Sequence, residues 1–171
     1  MNRIAVATAS QRAADAAREV AEVGGNAVDC ALAAALVTIN TEPSVCALAG
    51  SAFITIWPAD GDPVTIDGNV AVPGSDLDEA RRGRGAVEVT INYGGGITTL
   101  VGVGAVAVPG TLAAIEHASK KDGIVPWRTL FEPAVRACRN GFPLSAACRY
   151  YLGYSGDLIF NRSKEGFATL P

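Results

Sequence analysis

The sequence is poor in charge, in histidine and in long basic tracts, and each shortage excludes a class of function. Charged residues make up 18% of the 171 residues, against about 25% in an average soluble domain. The 14 lysines and arginines are outnumbered by 17 aspartates and glutamates, and the densest basic cluster is Arg81, Arg82 and Arg84. A nucleic-acid-binding face needs clustered cations to displace phosphate counterions, so we expect no nucleic-acid partner.

Long apolar runs are also missing. No stretch reaches the roughly 18 apolar residues of a membrane span, so we expect no membrane partner. The first three residues run directly into residues 4–9, which read as a β-strand rather than as the core of a secretory signal. We therefore expect a soluble, cytoplasmic protein, unless a leader has been removed. The low charge has two explanations: another chain or a continuation covers part of the surface, or the sequence is simply rich in alanine and valine.

Metal-ligand spacing is absent. The four cysteines show no CxxC pattern and His117 is the only histidine, so we expect no metal and no other cofactor. Cys30 and Cys138 each lie in an apolar or helical pattern, which predicts buried thiols. A disulfide between Cys138 and Cys148 stays open.

Rival catalytic motifs are weak. His117 lies between Glu116 and Lys120 in a helical pattern, which favours a solvated surface position over a Ser-His-Asp triad. Three consecutive glycines at 94–96 join two predicted strands rather than a strand and a helix, so no helix N-terminus is available to hold a phosphate.

The pattern along the chain alternates helices with hairpins. Ser10 is a plausible N-cap for a helix ending at Gly24, and Asn26 with Asp29 forms a capping-box pattern for a second helix. The second helix carries no charge from residue 30 to residue 39, which predicts burial on every side. Further predicted elements are hairpins at 52–57 with 64–67 and at 87–93 with 97–103, and helices at 109–119, 132–140 and 143–151. This order predicts an α/β fold in which helices cover antiparallel β-hairpins, in one domain piece over residues 1–171.

Three segments, in order and with matching spacing, resemble the start of the large subunit of gamma-glutamyltranspeptidases. They are GGNAVDCALAAALVTINTEPS at 24–44, LAGSAFITIWPADGDPVTIDGNVAVPG at 48–74 and AVPGTLAAIEHASKKDGIVPWRTLFEPAVRACRNGFPLS at 107–145. One such segment would be a weak signal, whereas three in register cover nearly the whole chain.

The resemblance implies an αββα sandwich of the N-terminal-nucleophile hydrolases, made as a precursor that cleaves itself. It also implies an acyl-enzyme on a threonine at the N-terminus of a small subunit, with the threonine amine as base. This threonine lies downstream of a segment of this length, so we expect no catalytic residue in this chain. The implied partners are a small subunit or C-terminal half with that threonine, and a small amide or gamma-glutamyl substrate. The alternative is a non-catalytic truncated or scaffold subunit that acts only with a separate small subunit.

The sequence departs from the family pattern at one wall of the substrate pocket. Gamma-glutamyl enzymes carry an arginine two residues after the hairpin aspartate, where it binds the substrate α-carboxylate, and Asn69 stands at that place here. Asparagine cannot form the bidentate charged pair that favours a carboxylate. Either Arg81, Arg82 or Arg84 takes over substrate binding, or the substrate is a different amide, or Asn69 only completes a turn.

Overall fold

The computed structural model describes residues 3–169, which form two compact units. The first unit comprises the residues up to Val70 together with Pro109–Leu144, and the second comprises Ala71–Val108 together with the residues from Ser145 onward. The sequence predicted a single domain piece over residues 1–171. Whether the two units belong to one such piece stays a prediction.

Four helices and one hairpin build the first unit. Its elements are α1 (Gln11–Glu22), α2 (Ala27–Thr41), β1 (Ala52–Ile56), β2 (Val64–Gly68), α3 (Thr111–Asp122) and α4 (Trp127–Asn140). The strands pair antiparallel, with Ala52 opposite Gly68 and Ile56 opposite Val64. Alanine, leucine and valine side chains of the four helices form the core, and one face of the hairpin packs against it through Ile54, Ile56 and Ile66. The predicted fold class, helices covering antiparallel hairpins, is confirmed.

Side-chain caps begin the first two helices, as the sequence predicted. The Ser10 hydroxyl accepts a hydrogen bond from the Ala13 N–H at 3.2 Å. This bond satisfies one of the donors that the first turn of a helix leaves without a partner. Gly24, with φ of +94°, follows the end of α1 in the left-handed conformation that glycine tolerates best.

Replacing Ser10 with alanine is expected to lower the free energy of unfolding of the first unit by about 1 kcal/mol, because the Ala13 N–H loses its acceptor. Urea unfolding followed by tryptophan fluorescence measures this change, since both tryptophans, Trp57 and Trp127, belong to the first unit. Ser10→Asp is the matched control, because aspartate caps equally well. A loss of similar size in that variant would contradict the capping role.

The second cap ties two distant parts of the chain together. Asn26 and Asp29 form the predicted capping box, with both hydrogen bonds at 3.0 Å. The Asp29 carboxylate is fully buried and also accepts the Ile124 N–H at 3.1 and 3.2 Å. The Asn26 side-chain amide donates to the Asp122 carbonyl at 2.7 Å. The start of α2 is thereby fixed to the loop between α3 and α4.

Helix α2 is buried on most of its surface, but the prediction of burial on every side is wrong. Leu32, Leu36 and Val37 lie in the core, whereas Ala27 and Ala31 are exposed along one stripe. The absence of charge on that stripe reflects a surface of small side chains rather than contact with the described core. Residues 4–9 run beside this stripe and share a cavity of about 460 Å³ with it.

Residues 4–9 do not form the predicted strand. A strand is stable only when a neighbouring strand accepts its backbone hydrogen bonds, and no described residue pairs with this segment. Ile4 and Val6 line a second cavity of about 770 Å³ against α1. The segment therefore has open space on two sides.

Helix α4 begins earlier than the sequence predicted. It starts at Trp127 rather than at Glu132 and contains Pro133 within its length. A proline disfavours helix in the residue before it, but burial of Leu130 and Ala134 in the core outweighs that preference. The other helices of this unit match their predicted positions, and His117 is exposed on α3 as predicted.

The cysteines follow the predictions in part. All four are present as thiols, so the open alternative of a Cys138–Cys148 disulfide is not realised. Cys30 is buried as predicted, but the prediction for Cys138 is wrong because that side chain is exposed. The core-facing side of α4 is formed by Leu130, Pro133 and Ala134, and Cys138 instead lines a shallow apolar cavity with Phe131 and Leu48.

We expect Cys138 to react with a disulfide reagent at pH 8 on the order of 100-fold faster than Cys30, because burial hides the Cys30 sulfur and also raises the pKa of its thiol. The nearby Asp29 carboxylate raises that pKa further. Labelling followed by peptide mass spectrometry measures both rates. Cys138→Ser should remove the fast reaction, and fast labelling of Cys30 in the folded protein would contradict the prediction.

The second unit is a hairpin with helical segments. Its elements are β3 (Val87–Ile91), β4 (Ile97–Val101), α5 (Ala146–Ser155) and α6 (Lys164–Thr169), and the hairpin confirms the predicted pairing. The turn residue Tyr93 contacts Tyr151 and Tyr154 of α5, with ring centroids 5.6 and 6.5 Å apart. A hydrogen bond to Tyr93 is the main reason why the pKa of Tyr151 rises to about 12. Tyr150 completes this tyrosine cluster.

The two ends of the segment 71–108 meet. Ala71 and Val108 form an antiparallel bridge, in which the Val108 N–H donates to Ala71 at 2.8 Å and the Ala71 N–H donates back at 3.0 Å. Within residues 3–169 no helix is long and apolar enough to cross a membrane. The same residues contain no group of three or more potential metal ligands.

Candidate functional site

Three backbone segments meet at the end of the β1–β2 hairpin that follows Gly68. They are Gly50 with Ser51 just before β1, Gly68 with Asn69 at the end of β2, and the first turn of α3. The N–H groups of Gly110 and Thr111 both donate to the Gly50 carbonyl at 3.1 Å. The junction is therefore fixed by backbone contacts, and side chains of the hairpin end project from it.

Glycine is required where these segments touch. A Cβ atom on Gly110 would lie 2.6 Å from the Asn69 carbonyl oxygen and closer still to the Gly68 carbonyl oxygen. A Cβ on Gly68 would lie 2.5 Å from the Ala114 side chain. Any side chain at either position would push α3 away from the hairpin. This contact explains why the Val-Pro-Gly and Asp-Gly motifs both carry their glycines.

Asn69 is oriented by a chain of hydrogen bonds. The Val70 N–H donates to the Ser51 hydroxyl oxygen at 3.1 Å, and the Ser51 hydroxyl donates to Asn69 Oδ1 at 2.8 Å. The Asn69 N–H donates to Asp67 Oδ1 at 2.8 Å. Asn69 and Ser51 are both exposed, and the Ser51 hydroxyl occupies the side-chain oxygen of Asn69.

Asp67, rather than Asn69, forms the local turn contact. The alternative that Asn69 only completes a turn therefore has no support in its side-chain bonds, which cross to the other strand. Ser51, the hydrogen-bond partner of Asn69, was not among the residues predicted to bind substrate. The pairing of Ala52 with Gly68 extends by one residue to set Ser51 opposite Asn69, so the hairpin register was the signal that could have found it.

The charge at this junction is negative. Asp67 forms no ion pair with any lysine or arginine in the described part of the chain; the ion pairs of the first unit lie on α1, α3 and α4. The N–H groups of Gly110, which precedes α3, and of Thr111, its first residue, are already bonded to the Gly50 carbonyl. A carboxylate brought next to Asn69 would thus meet the negative charge of Asp67.

The loop between α2 and β1 contains one strained residue. Ser44 has φ of +68°, the only non-glycine residue of the described chain in the left-handed region, and such strain often occurs at functional sites. The hydroxyl oxygens of Ser44 and Thr111 are buried without a hydrogen-bond partner among residues 3–169. Burial raises the pKa of the Cys46 thiol in this loop, and the Glu42 carboxylate raises it further.

Arg81 and Arg84, the other predicted substrate-binding residues, belong to the second unit. Both are exposed, and Arg81 ends a short 3-10 turn at Glu79–Arg81. Neighbouring Arg82 donates to the Leu77 carbonyl at 3.1 Å, which holds the turn. A role of Arg81 or Arg84 in substrate binding stays a prediction.

The chain matches known proteins in both sequence and fold. A family model described as Gamma-glutamyltranspeptidase matches residues 13–168, nearly the whole chain. The chain belongs to the gamma-glutamyltranspeptidase family. The expected resemblance is confirmed, and with it the assignment of the fold to part of an N-terminal-nucleophile hydrolase.

Relatives of the gamma-glutamyltranspeptidase family extend well beyond this chain. The glutathione hydrolase proenzyme of Pseudomonas aeruginosa is 32% identical over 146 residues, covering 82% of this chain and 24% of the relative. Glutathione hydrolase 2 of Arabidopsis thaliana is 30% identical over 147 residues, with coverage of 82% and 22%. The structure of the gamma-glutamyltranspeptidase from Pseudomonas nitroreducens complexed with L-DON superimposes with a TM-score of 0.76 at 27% identity, covering 98% of this chain and 48% of that one.

The chain therefore spans about a quarter of the length of the curated relatives, in their N-terminal part. Each of the three family-like sequence segments corresponds to defined helices or strands of the fold. The first is α2 with its capping box, the second contains the β1–β2 hairpin, and the third contains α3 and α4. The junction joins the second segment to the third, where the end of β2 meets the start of α3.

Proposed function

We propose that this chain is the N-terminal part of the large subunit of an amidohydrolase or acyltransferase. Its enzyme would cleave an amide or gamma-glutamyl bond through an acyl-enzyme on the N-terminal threonine of a small subunit or C-terminal half. The observation that carries the proposal is the family match over residues 13–168 in a chain that spans about a quarter of its relatives. The name proenzyme on several relatives supports processing into two subunits.

The surface of the first unit supports a missing neighbour. Phe53 on β1 and Trp57 directly after it are 62% and 77% exposed, and residues 4–9 lie unpaired between two cavities. Two buried hydroxyls, on Ser44 and Thr111, lack partners in the described chain. Exposed aromatic residues and unpaired segments of this kind are normally covered by further polypeptide. This covering polypeptide would supply the nucleophile.

The test begins with the purified chain and gamma-glutamyl-p-nitroanilide. We expect no turnover by the chain alone, and measurable turnover would overturn the proposed position of the nucleophile. The tagged chain is then isolated from its own host, and any co-purifying chain is subjected to N-terminal sequencing. A partner that begins with threonine, together with amide or gamma-glutamyl turnover by the assembly, is the supporting result.

The second candidate function is a non-catalytic scaffold that acts only with a separate small subunit, and the exposed Phe53 and Trp57 side chains favour such pairing. It predicts that an assembly with a threonine-led partner forms but turns over no amide. Comparing the assembly with a version whose partner threonine is replaced by alanine separates the two functions. Equal rates for both versions would favour the scaffold.

A further inference from the structure

All four tyrosines of the chain lie in one cluster of the second unit. Tyr93 lies in the turn between β3 and β4, and Tyr150, Tyr151 and Tyr154 lie on α5. The ring centroids are 5.6 Å apart for Tyr93 and Tyr151 and 5.4 Å apart for Tyr151 and Tyr154. Aromatic rings at these distances are in contact. The phenol chemistry of this chain is therefore concentrated at one place.

Tyr93 and Tyr151 are the pair whose reactive carbons are held together. The Tyr93 N–H donates to the Ile91 carbonyl at 2.9 Å and the Tyr93 carbonyl accepts the Gly96 N–H at 3.0 Å, so the Tyr93 backbone is fixed in the turn. Its phenol is hydrogen-bonded to the phenol of Tyr151. In each ring the ortho carbons are bonded to the carbon that carries the hydroxyl group. A hydrogen bond between the two hydroxyl groups therefore brings an ortho carbon of one ring close to the other ring.

Exposure alone favours a different partner for Tyr93. Tyr93 is 45% exposed, so a reagent in solution reaches it directly. Tyr150 is 68% exposed, whereas Tyr151 is only partly exposed. A coupling reaction governed by access would join Tyr93 to Tyr150, and one governed by the ring contact would join it to Tyr151. The identity of the product thus distinguishes the two.

We propose that Tyr93 and Tyr151 are a site of oxidative cross-linking, joined through their ortho carbons when a haem peroxidase and hydrogen peroxide act on the chain. Each tyrosine loses one electron and its phenol proton, and the two phenoxyl radicals couple through a new carbon–carbon bond. The ortho hydrogens then move to the oxygens and restore both phenols. Two hydrogen atoms leave in total, and one peroxide molecule is reduced to two waters.

The bond ties the turn of the β3–β4 hairpin covalently to α5. Without it, the contact between these two parts of the second unit depends on the packing and hydrogen bonding of the tyrosines. The cross-link forms within this chain and is independent of the proposed function.

The experiment treats the purified chain, at low concentration, with a haem peroxidase and hydrogen peroxide. Exposed thiols are alkylated first, because a thiol is itself readily oxidised. Monomers are isolated under denaturing conditions and digested with trypsin, which cleaves after lysine and arginine. Tyr93 then lies in the peptide 85–120, and the three tyrosines of α5 lie in the peptide 150–162.

We expect dityrosine fluorescence in the monomer fraction and a linked pair of these two peptides, lighter than their sum by two hydrogen atoms. Fragmentation in the mass spectrometer should place the bond between Tyr93 and Tyr151. A bond from Tyr93 to Tyr150 would overturn the proposal. The same holds for an absence of dityrosine, or for dityrosine confined to covalent dimers or to the peptide 150–162.

Two phenylalanine variants test the assignment of the pair. Tyr151→Phe keeps the ring but removes the hydroxyl group, so the linked pair of peptides should be lost. Tyr150→Phe is the matched control on the same helix and should retain the linked pair. Circular dichroism checks that both variants keep their fold. A linked pair in Tyr151→Phe at the level of the natural chain, or its loss in a folded Tyr150→Phe variant, would contradict the assignment.

Discussion

Replacing Asp29 with alanine is expected to lower the free energy of unfolding of the first unit by about 4 kcal/mol. The carboxylate is fully buried and accepts N–H groups from Asn26 and from Ile124, which are far apart in sequence. Alanine leaves both donors without this acceptor, and hydrogen bonds to a charged group are the strong ones. The start of α2 would also separate from the loop after α3.

Urea unfolding followed by tryptophan fluorescence measures this loss, because Trp57 and Trp127 both report on the first unit. Asp15→Ala is the matched control. Asp15 is an exposed carboxylate of α1 that pairs with Arg18 at 3.4 Å, and such surface pairs contribute about 0.5 kcal/mol. Asp29→Asn retains one acceptor oxygen and should lie between the two. An Asp29→Ala variant within 1 kcal/mol of the natural protein, a margin about the size of one ordinary hydrogen bond, would contradict the role of this carboxylate.

Gly110→Ala is the second large effect, with an expected loss of about 3 kcal/mol and disruption of the Ser51–Asn69 contact. The φ of Gly110 is −112°, which any residue adopts, so the penalty comes from space alone. The added methyl group would meet the backbone of Gly68 and Asn69, and backbone atoms cannot rotate away as a flexible side chain can. Either α3 or the end of β2 must move.

Gly153→Ala is its matched control. Gly153 lies within α5, and a Cβ atom there would have nothing within 4 Å. Alanine in that helix should raise stability by about 0.5–1 kcal/mol. Thermal unfolding followed by circular dichroism compares the variants, and the Asn69 side-chain NMR signal reports on the junction. An unchanged Asn69 signal in Gly110→Ala would contradict the tight crossing of the three segments.

Local signals in the sequence predicted the local structure well. The capping of α1 by Ser10, the Asn26–Asp29 box and both hairpins depend on contacts between residues near in sequence. The reach of Asp29 to Ile124 could not be predicted in this way, because that bond joins residues 95 apart in sequence. The positions and caps of the helices could thus be predicted from the sequence, whereas the packing between helices could not.

The wrong predictions share a physical cause: each needed knowledge of what lies next to a segment. Residues 4–9 have the composition of a strand but no strand beside them, and Ala27 and Ala31 of α2 have the composition of a core but an open face. Cys138 lies on the side of α4 that the core does not reach. Apolar composition reports that a surface is suited to burial, not that the described residues bury it.

The candidate site was predictable in part. The resemblance pointed to Asn69, and the structure places it where the end of β2 meets the start of α3. The partner Ser51 required the hairpin register, and the need for Gly110 required the approach of α3 to β2. Roles for Arg81 and Arg84 stay predictions.

The bridge between Ala71 and Val108 has an evolutionary consequence. The chain leaves and returns at one point, since the two residues are hydrogen-bonded neighbours, and the entropy of closing a loop grows only slowly with its length. Sequence between the paired ends could lengthen, shorten or be exchanged over generations while the spacing of its attachment points is preserved. This segment is therefore a place where the chain could change in length with little effect on the pairing of its two ends, and grafting a foreign hairpin between Ala71 and Val108 would test this.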